Sequence, residues 1–150
     1  MNVQLKFRMY CLVLYQLKPI QQGIQAQHAI TEYAENHFNN PDYRQWASQD
    51  KTTIVLSVGG SNELTDALLQ LRENKIIYKL FQEEDLYNQP TAMCFLVDER
   101  VWDKKKYPDP IYHNNYPPIN KEVIDVDLLK LVGNEKNVFL RSFLSNYKLA

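Results

Sequence analysis

No apolar run in this 150-residue chain approaches the roughly 20 residues needed to cross a bilayer as a helix, which excludes a helical membrane span. The opening residues, MNVQLKFR, lack the apolar core and small-residue cleavage site of a secretory leader, so a cytoplasmic protein is expected. Cysteine is scarce. Cys11 and Cys94 each lie inside an apolar run with no second Cys or His at ligand spacing, which predicts two reduced core thiols, no metal site and no cofactor. An excess of charge of either sign is also missing, because 17 basic and 18 acidic side chains leave a net charge of -1. That balance removes the whole-protein positive field of a dedicated duplex binder while leaving room for a local basic patch.

What is present is enough apolar material, 45% of the chain, for one core and hence one domain over residues 1–150. The most informative stretch runs from Met9 to Tyr33. The run MYCLVLY has the continuous apolar character of a strand buried on both faces. It empties through Gln16-Leu17-Lys18-Pro19 into a helix that Pro19 starts at its first position, where a fixed φ and a missing N–H cost nothing. Four glutamines fall between residues 21 and 27. Gln21, Gln25 and His28 are spaced by four and three residues and so share one helix face, and their uncharged amides read as ligand contacts. A solvated face that happens to use glutamine is the plainer alternative.

Further along, helix one is expected to reach about His37, and a short helix, DYRQWASQ, follows Asn39-Asn40-Pro41. Residues 51–58 (KTTIVLSV) read as strand two and Gly59-Gly60 as a sharp turn. Leu64, Ala67, Leu68 and Leu71 lie at helical spacing in helix three. Residues 76–81 (IIYKLF) and 92–97 (AMCFLV) read as strands three and four, an antiparallel pair. The acidic connection between them, QEEDLYNQP, is too long for a tight hairpin and supplies a second half to the site. The order βααβαββ predicts a three-layer α/β/α domain with a mixed four-stranded sheet over about residues 9–97. A Pro- and Tyr-rich extension over 98–133 reads as ordered extended chain and then, over 120–133 (NKEVIDVDLLKLVG), as a short strand or helix segment, in which residues 122–126 (EVIDV) alternate like an edge strand. Its lysines, 104–106, are either a phosphate contact or a solvated charge run. An amphipathic helix closes the chain over about 134–148.

The strand MYCLVLY, the helix signature QAQHAITEY, the strand TTIVLSV and the segment FQEEDLYNQPTAMCFLV together resemble the archaeal- and eukaryotic-type class of peptidyl-tRNA hydrolase. They are most similar to a divergent bacterial and phage branch in which an E-x-D-L segment precedes a T-A pair; here these are Glu83, Asp85, Leu86, Thr91 and Ala92. The resemblance implies hydrolysis of the ester between a peptide and the 3′ end of tRNA. It also implies a lysine opening the first helix before a Q-x-x-H segment, with an aspartate and a threonine from the loop before the last strand. Gln25 and His28 match Q-x-x-H, and Glu83 or Asp85 with Thr91 stand at the loop positions. The chain departs from the pattern at the lysine, where one register places Gly23 and the other Gln21, with Lys18 nearby.

Two function classes follow. One is an esterase acting on the 3′ end of peptidyl- or aminoacyl-tRNA, with His28 or Asp85 activating water, Gln21, Gln25 or Lys18 serving the oxyanion, and Glu83 and Thr91 as further ligand contacts. The other is an inactive module that uses the same cleft to hold a nucleotide-type small molecule or a protein partner, since amides read base and sugar edges without hydrolysing anything. A homodimer is an open alternative to a monomer.

Overall fold

The computed structural model describes residues 4–110 and 125–150. β1 (Phe7–Leu14) lies at the centre of a mixed sheet. It pairs in parallel with β2 (Thr53–Gly59) and antiparallel with β4 (Gln89–Asp98), which pairs antiparallel with the edge strand β3 (Lys79–Glu83). Strands that are interior in the sheet and covered by helices on both faces must be apolar on both sides. Met9 to Leu14 and Ala92 to Phe95 are accordingly buried without interruption.

The sheet has five strands rather than the four expected from the sequence. β5 (Lys148–Leu149) pairs antiparallel with β2, and the Ala150 N–H donates to Val55 O at 3.0 Å. The final helix therefore stops at Leu144, short of the expected 148, and the tail satisfies backbone groups on what would otherwise be an open edge. Two residues carry no alternation that a sequence pattern can register. Strand three also begins later than expected, because Ile76 tucks into the core as a loop residue.

One layer is α1 (Pro19–His37) with α2 (Pro41–Gln45), which runs on into a π-helical turn over Trp46–Asp50. Ala26 and Ala29 let α1 approach closely over Met9, Cys11, Val13, Ala92 and Cys94, with Tyr33 and Trp46 completing that side of the core. The other layer combines α3 (Ser61–Glu73) with α4 (Glu99–Trp102), α5 (Val126–Val132) and α6 (Glu135–Leu144). Leu64, Ala67 and Leu71 of α3 and Leu140 and Phe143 of α6 pack there on Leu12, Met93 and Phe95.

In the extension, α4 stands where extended chain was expected, and of the strand and helix alternatives for residues 120–133 the described part is helical, as α5. Asp98 caps α4 through the Arg100 N–H at 2.9 Å, and Asp125 caps α5 through two backbone N–H groups at 3.1 Å. Residues 122–124 of the expected edge strand lie outside the described residues, and Val126 opens α5. Buried polar groups tie this region to the sheet. Asp98 pairs with Arg100 at 3.0 Å and accepts from Asn137 at 3.1 Å. Arg141 donates to Asp109 at 2.6 Å, to the Arg100 carbonyl and to the Tyr107 carbonyl. Gly133 ends α5 at φ 93°, with the Arg100 guanidinium where a Cβ would stand, so any side chain there would strain the backbone and push Arg100 aside. Within the lysine run, Lys106 pairs with Glu99 at 2.8 Å and Lys104 with Asp109 at 3.6 Å.

Cys11 and Cys94 sit opposite each other across β1 and β4, both buried and both free. Burial pushes the Cys11 thiol up to about 12, and burial with the neighbouring Cys11 raises Cys94 as well. Since the thiolate is the reactive form, the native protein should take up no aromatic disulfide reagent and the unfolded chain should take up two equivalents. Fast labelling of the folded protein would contradict this packing.

Candidate functional site

α1 lies across β1, β3 and β4, which brings its first turns over the ends of β3 and β4. On β3, Phe81 and Glu83 alternate onto the face that α1 covers. On β4 the register shifts: Phe81 is opposite Ala92 and Gln82 is opposite Pro90, leaving Thr91 as an extra residue. Such a bulge re-aims a side chain. Thr91 consequently points to the α1 side along with Ala92 and is fully buried.

The result is a directed hydrogen-bond chain. The Thr91 hydroxyl donates to Gln25 Oε1 at 2.5 Å, and Gln25 Nε2–H donates to Glu83 Oε1 at 3.3 Å. Gln25 is only 2% exposed, so its amide is spent inside the protein and joins helix to sheet. Glu83 is half-buried and has one carboxylate oxygen outside this chain. His28, one turn further along α1, is half-buried and stacks on Phe81 with ring centroids 4.8 Å apart.

Gln25, His28, Glu83 and Thr91 are thus brought together. Gln21, a turn before Gln25, is exposed, and Gln22 donates to the Leu17 carbonyl at 2.9 Å, fixing the entry to the helix. Asp85 is exposed in the single 3-10 turn Glu84–Leu86 and makes no contact with the chain of Thr91, Gln25 and Glu83. Lys18 is the exposed N-cap of α1 and caps it without its side chain. The face sharing Gln21, Gln25 and His28 is therefore graded from solvent to core rather than uniformly open.

The expected long loop is tighter than its sequence suggested. β3 runs to Glu83 and β4 starts at Gln89. Tyr87 (φ 56°) and Asn88 (φ 61°) turn the chain in the left-handed region, and the Asn88 N–H returns to Glu83 O at 2.8 Å. Left-handed backbone at two successive non-glycine residues is costly and clusters at functional sites. It leaves Tyr87 99% exposed beside Leu86 at 42%. At the same end of the sheet, Tyr15 and Ile20 are 64% and 70% exposed. Sequence reasoning missed both Phe81 as the platform for His28 and the bulge at Thr91. Pro90 was the signal for the latter, since proline within a strand is confined to edges and bulges.

Residues 7–97, more than half of the chain, match the family model of peptidyl-tRNA hydrolase PTH2. The chain belongs to this family. The match covers β1 through nearly all of β4, and so includes every residue of the hydrogen-bond chain while excluding α4, α5, α6 and β5. A solved structure, a protein of unknown function from Agrobacterium tumefaciens strain C58, aligns at 12% identity over 72% of this chain and 98% of its own, with a TM-score of 0.39. No curated protein matches the chain. Among the described residues there is no cluster of three metal-binding side chains and no helix long and apolar enough to cross a membrane.

Proposed function

We propose that this PTH2-family protein is an esterase acting on the 3′ end of peptidyl- or aminoacyl-tRNA, with Glu83 rather than Asp85 as its base. The observation that carries the reading is the chain from Thr91 through Gln25 to Glu83, which fixes a carboxylate in one orientation and leaves its second oxygen for water. Glu83 takes a proton from the water as the water oxygen attacks the ester carbonyl carbon. The tetrahedral oxyanion then collapses, the bond to the ribose oxygen breaks, and Glu83 returns the proton to the 3′ hydroxyl. Oxyanion donors are available at the start of α1. The N–H groups of Ile20 and Gln21 precede the first backbone bond of the helix, Gln22 N–H to Lys18 O at 2.9 Å, and the helix dipole adds partial positive charge. The Gln21 amide and Lys18 stand on the same turn. Tyr15, Ile20, Leu86 and Tyr87 offer surfaces on which unstacked bases of a single-stranded 3′ end can lie, with His28 held against Phe81 behind them.

A specific observation favours the second reading, a module that holds a nucleotide-type ligand without turnover. On the register that overlays Q-x-x-H, the lysine position carries Gln21, and the cation nearest in sequence, Lys18, sits outside the helix face. Removing a charged donor from an oxyanion site typically lowers the rate by about a hundredfold or more. Hydrolysis of a model peptidyl-tRNA by the wild type and by Glu83→Gln separates the two. The esterase reading expects measurable turnover that drops at least about a hundredfold in the variant, roughly 2.7 kcal/mol of transition-state stabilisation, with tRNA affinity retained. Wild-type turnover no faster than the uncatalysed reaction ends the esterase reading, and binding of deacylated tRNA or a nucleotide that disappears in Gln21→Ala would then support the holding role.

A further inference from the structure

The amino end of β1 carries a groove of about 410 Å³ with no part in the chemistry above, lined among others by Lys6, Arg8, Asp50, Thr52 and Trp102. The Arg8 guanidinium lies 3.7 Å from the centroid of the Trp102 ring, and the indole is itself held by its N–H donating to Val97 O at 3.2 Å. Stacking fixes the plane of an arginine and leaves its edge donors free, the arrangement that suits bidentate contact with a phosphate. Three arginines are not exposed. Arg100 and Arg141 each meet a carboxylate, at 3.0 and 2.6 Å, whereas among the described residues Arg8 meets the Trp102 ring and the Tyr10 phenol and no carboxylate. Lys6 is exposed, with no side-chain partner among the described residues. The groove's carboxylate, Asp50, is held in place through Oδ2, which accepts from the Phe7 N–H at 2.8 Å and the Gln45 amide at 3.0 Å.

We propose that this groove holds a backbone phosphate of the same tRNA whose 3′ end occupies the site at the other end of β1; the proposal rests on the reading given above. Phe7 to Leu14 spans about 23 Å at roughly 3.3 Å per residue, so the two ends contact points on the RNA well separated along its length. The site end has little attraction for a polyanion, since Glu83, Glu84 and Asp85 stand there against Lys18. The stacked Arg8 and the exposed Lys6 at the far end supply that attraction, position the RNA and read no base.

The test is binding of deacylated full-length tRNA over a range of salt concentrations, with wild type, Lys6→Ala, Arg8→Gln and the double variant. Near physiological salt the double variant should bind about tenfold more weakly, and its slope of log affinity against log salt should be shallower by about 1 to 2. Binding of a single-stranded trinucleotide should not change. The exposed Lys6 side chain makes no hydrogen bond or ion pair among the described residues, so its variant remains informative if Arg8→Gln is poorly folded. Unchanged tRNA affinity, unchanged slope, absence of tRNA binding by the wild type, or equal competition by millimolar inorganic phosphate would each overturn the proposal. Deacylated tRNA carries no ester, so a failure of hydrolysis sinks the esterase reading and leaves this measurement standing.

Discussion

Phe143→Ala should destabilise the protein by about 3–5 kcal/mol, the cost of removing a large buried aromatic side chain and leaving its cavity. Phe143 is 2% exposed and packs against Phe139, Tyr147 and Phe95, with ring centroids 5.0, 5.1 and 6.2 Å apart. Phe95 lies in the middle of β4, within the family-matched residues, whereas Phe143 lies beyond them. If the two halves share one core, the loss falls on the whole domain: a single unfolding transition should shift down by roughly 6–20 °C, given about 2–4 °C per kcal/mol at this size. Total stability is only about 5–15 kcal/mol, so the variant approaches the threshold of folding. A calorimetric trace with two separate transitions, or a loss below about 1 kcal/mol, would mean that α6 is an appendage.

How much of this could be read from the sequence depended on whether burial left a periodic trace. β1 and β4 were legible because interior strands covered on both faces are uninterrupted apolar runs, and α1 because Pro19 marks its start and Ala26, Ala29 and Tyr33 repeat along its buried side. β3 was displaced because IIYKLF is apolar but for Lys79, and nothing local tells Ile76, buried as a loop residue, from the strand proper. The extension looked irregular since its order comes from polar contacts distant in sequence, such as Arg141 to Asp109 and Asn137 to Asp98.

The site was legible as a helix face and a loop, but not as a hydrogen-bond chain. Spacing puts Gln21, Gln25 and His28 on one side of α1, yet it cannot say how far that side rolls toward the core, and here Gln25 is buried while Gln21 is not. Asp85 looked equivalent to Glu83 in sequence. Strand alternation separates them, since Glu83 is the last residue of β3 and faces α1, whereas Asp85 lies in the turn beyond.

The Gln25 and Thr91 pair allows a test in which stability and function diverge. Gln25→Leu strands a fully buried hydroxyl, and Thr91→Val strands the buried amide oxygen that the hydroxyl served. Each single change should therefore cost about 1–3 kcal/mol, the desolvation penalty of an unsatisfied buried group. Replacing both partners removes the orphaned atoms together, so the double variant should lose less than the sum, with a coupling of about 1–2 kcal/mol in chemical denaturation. Glu83 behaves differently: in both variants that lack Gln25 its carboxylate loses the amide that orients it. Ester hydrolysis should stay about tenfold to a hundredfold below wild type in the double variant even though much of the stability returns, because orientation of a general base contributes to the transition state separately from folding. Additive losses within about 0.5 kcal/mol would show that the 2.5 Å hydrogen bond carries no energetic coupling, and wild-type hydrolysis in the double variant would remove Gln25 from the machinery that positions Glu83.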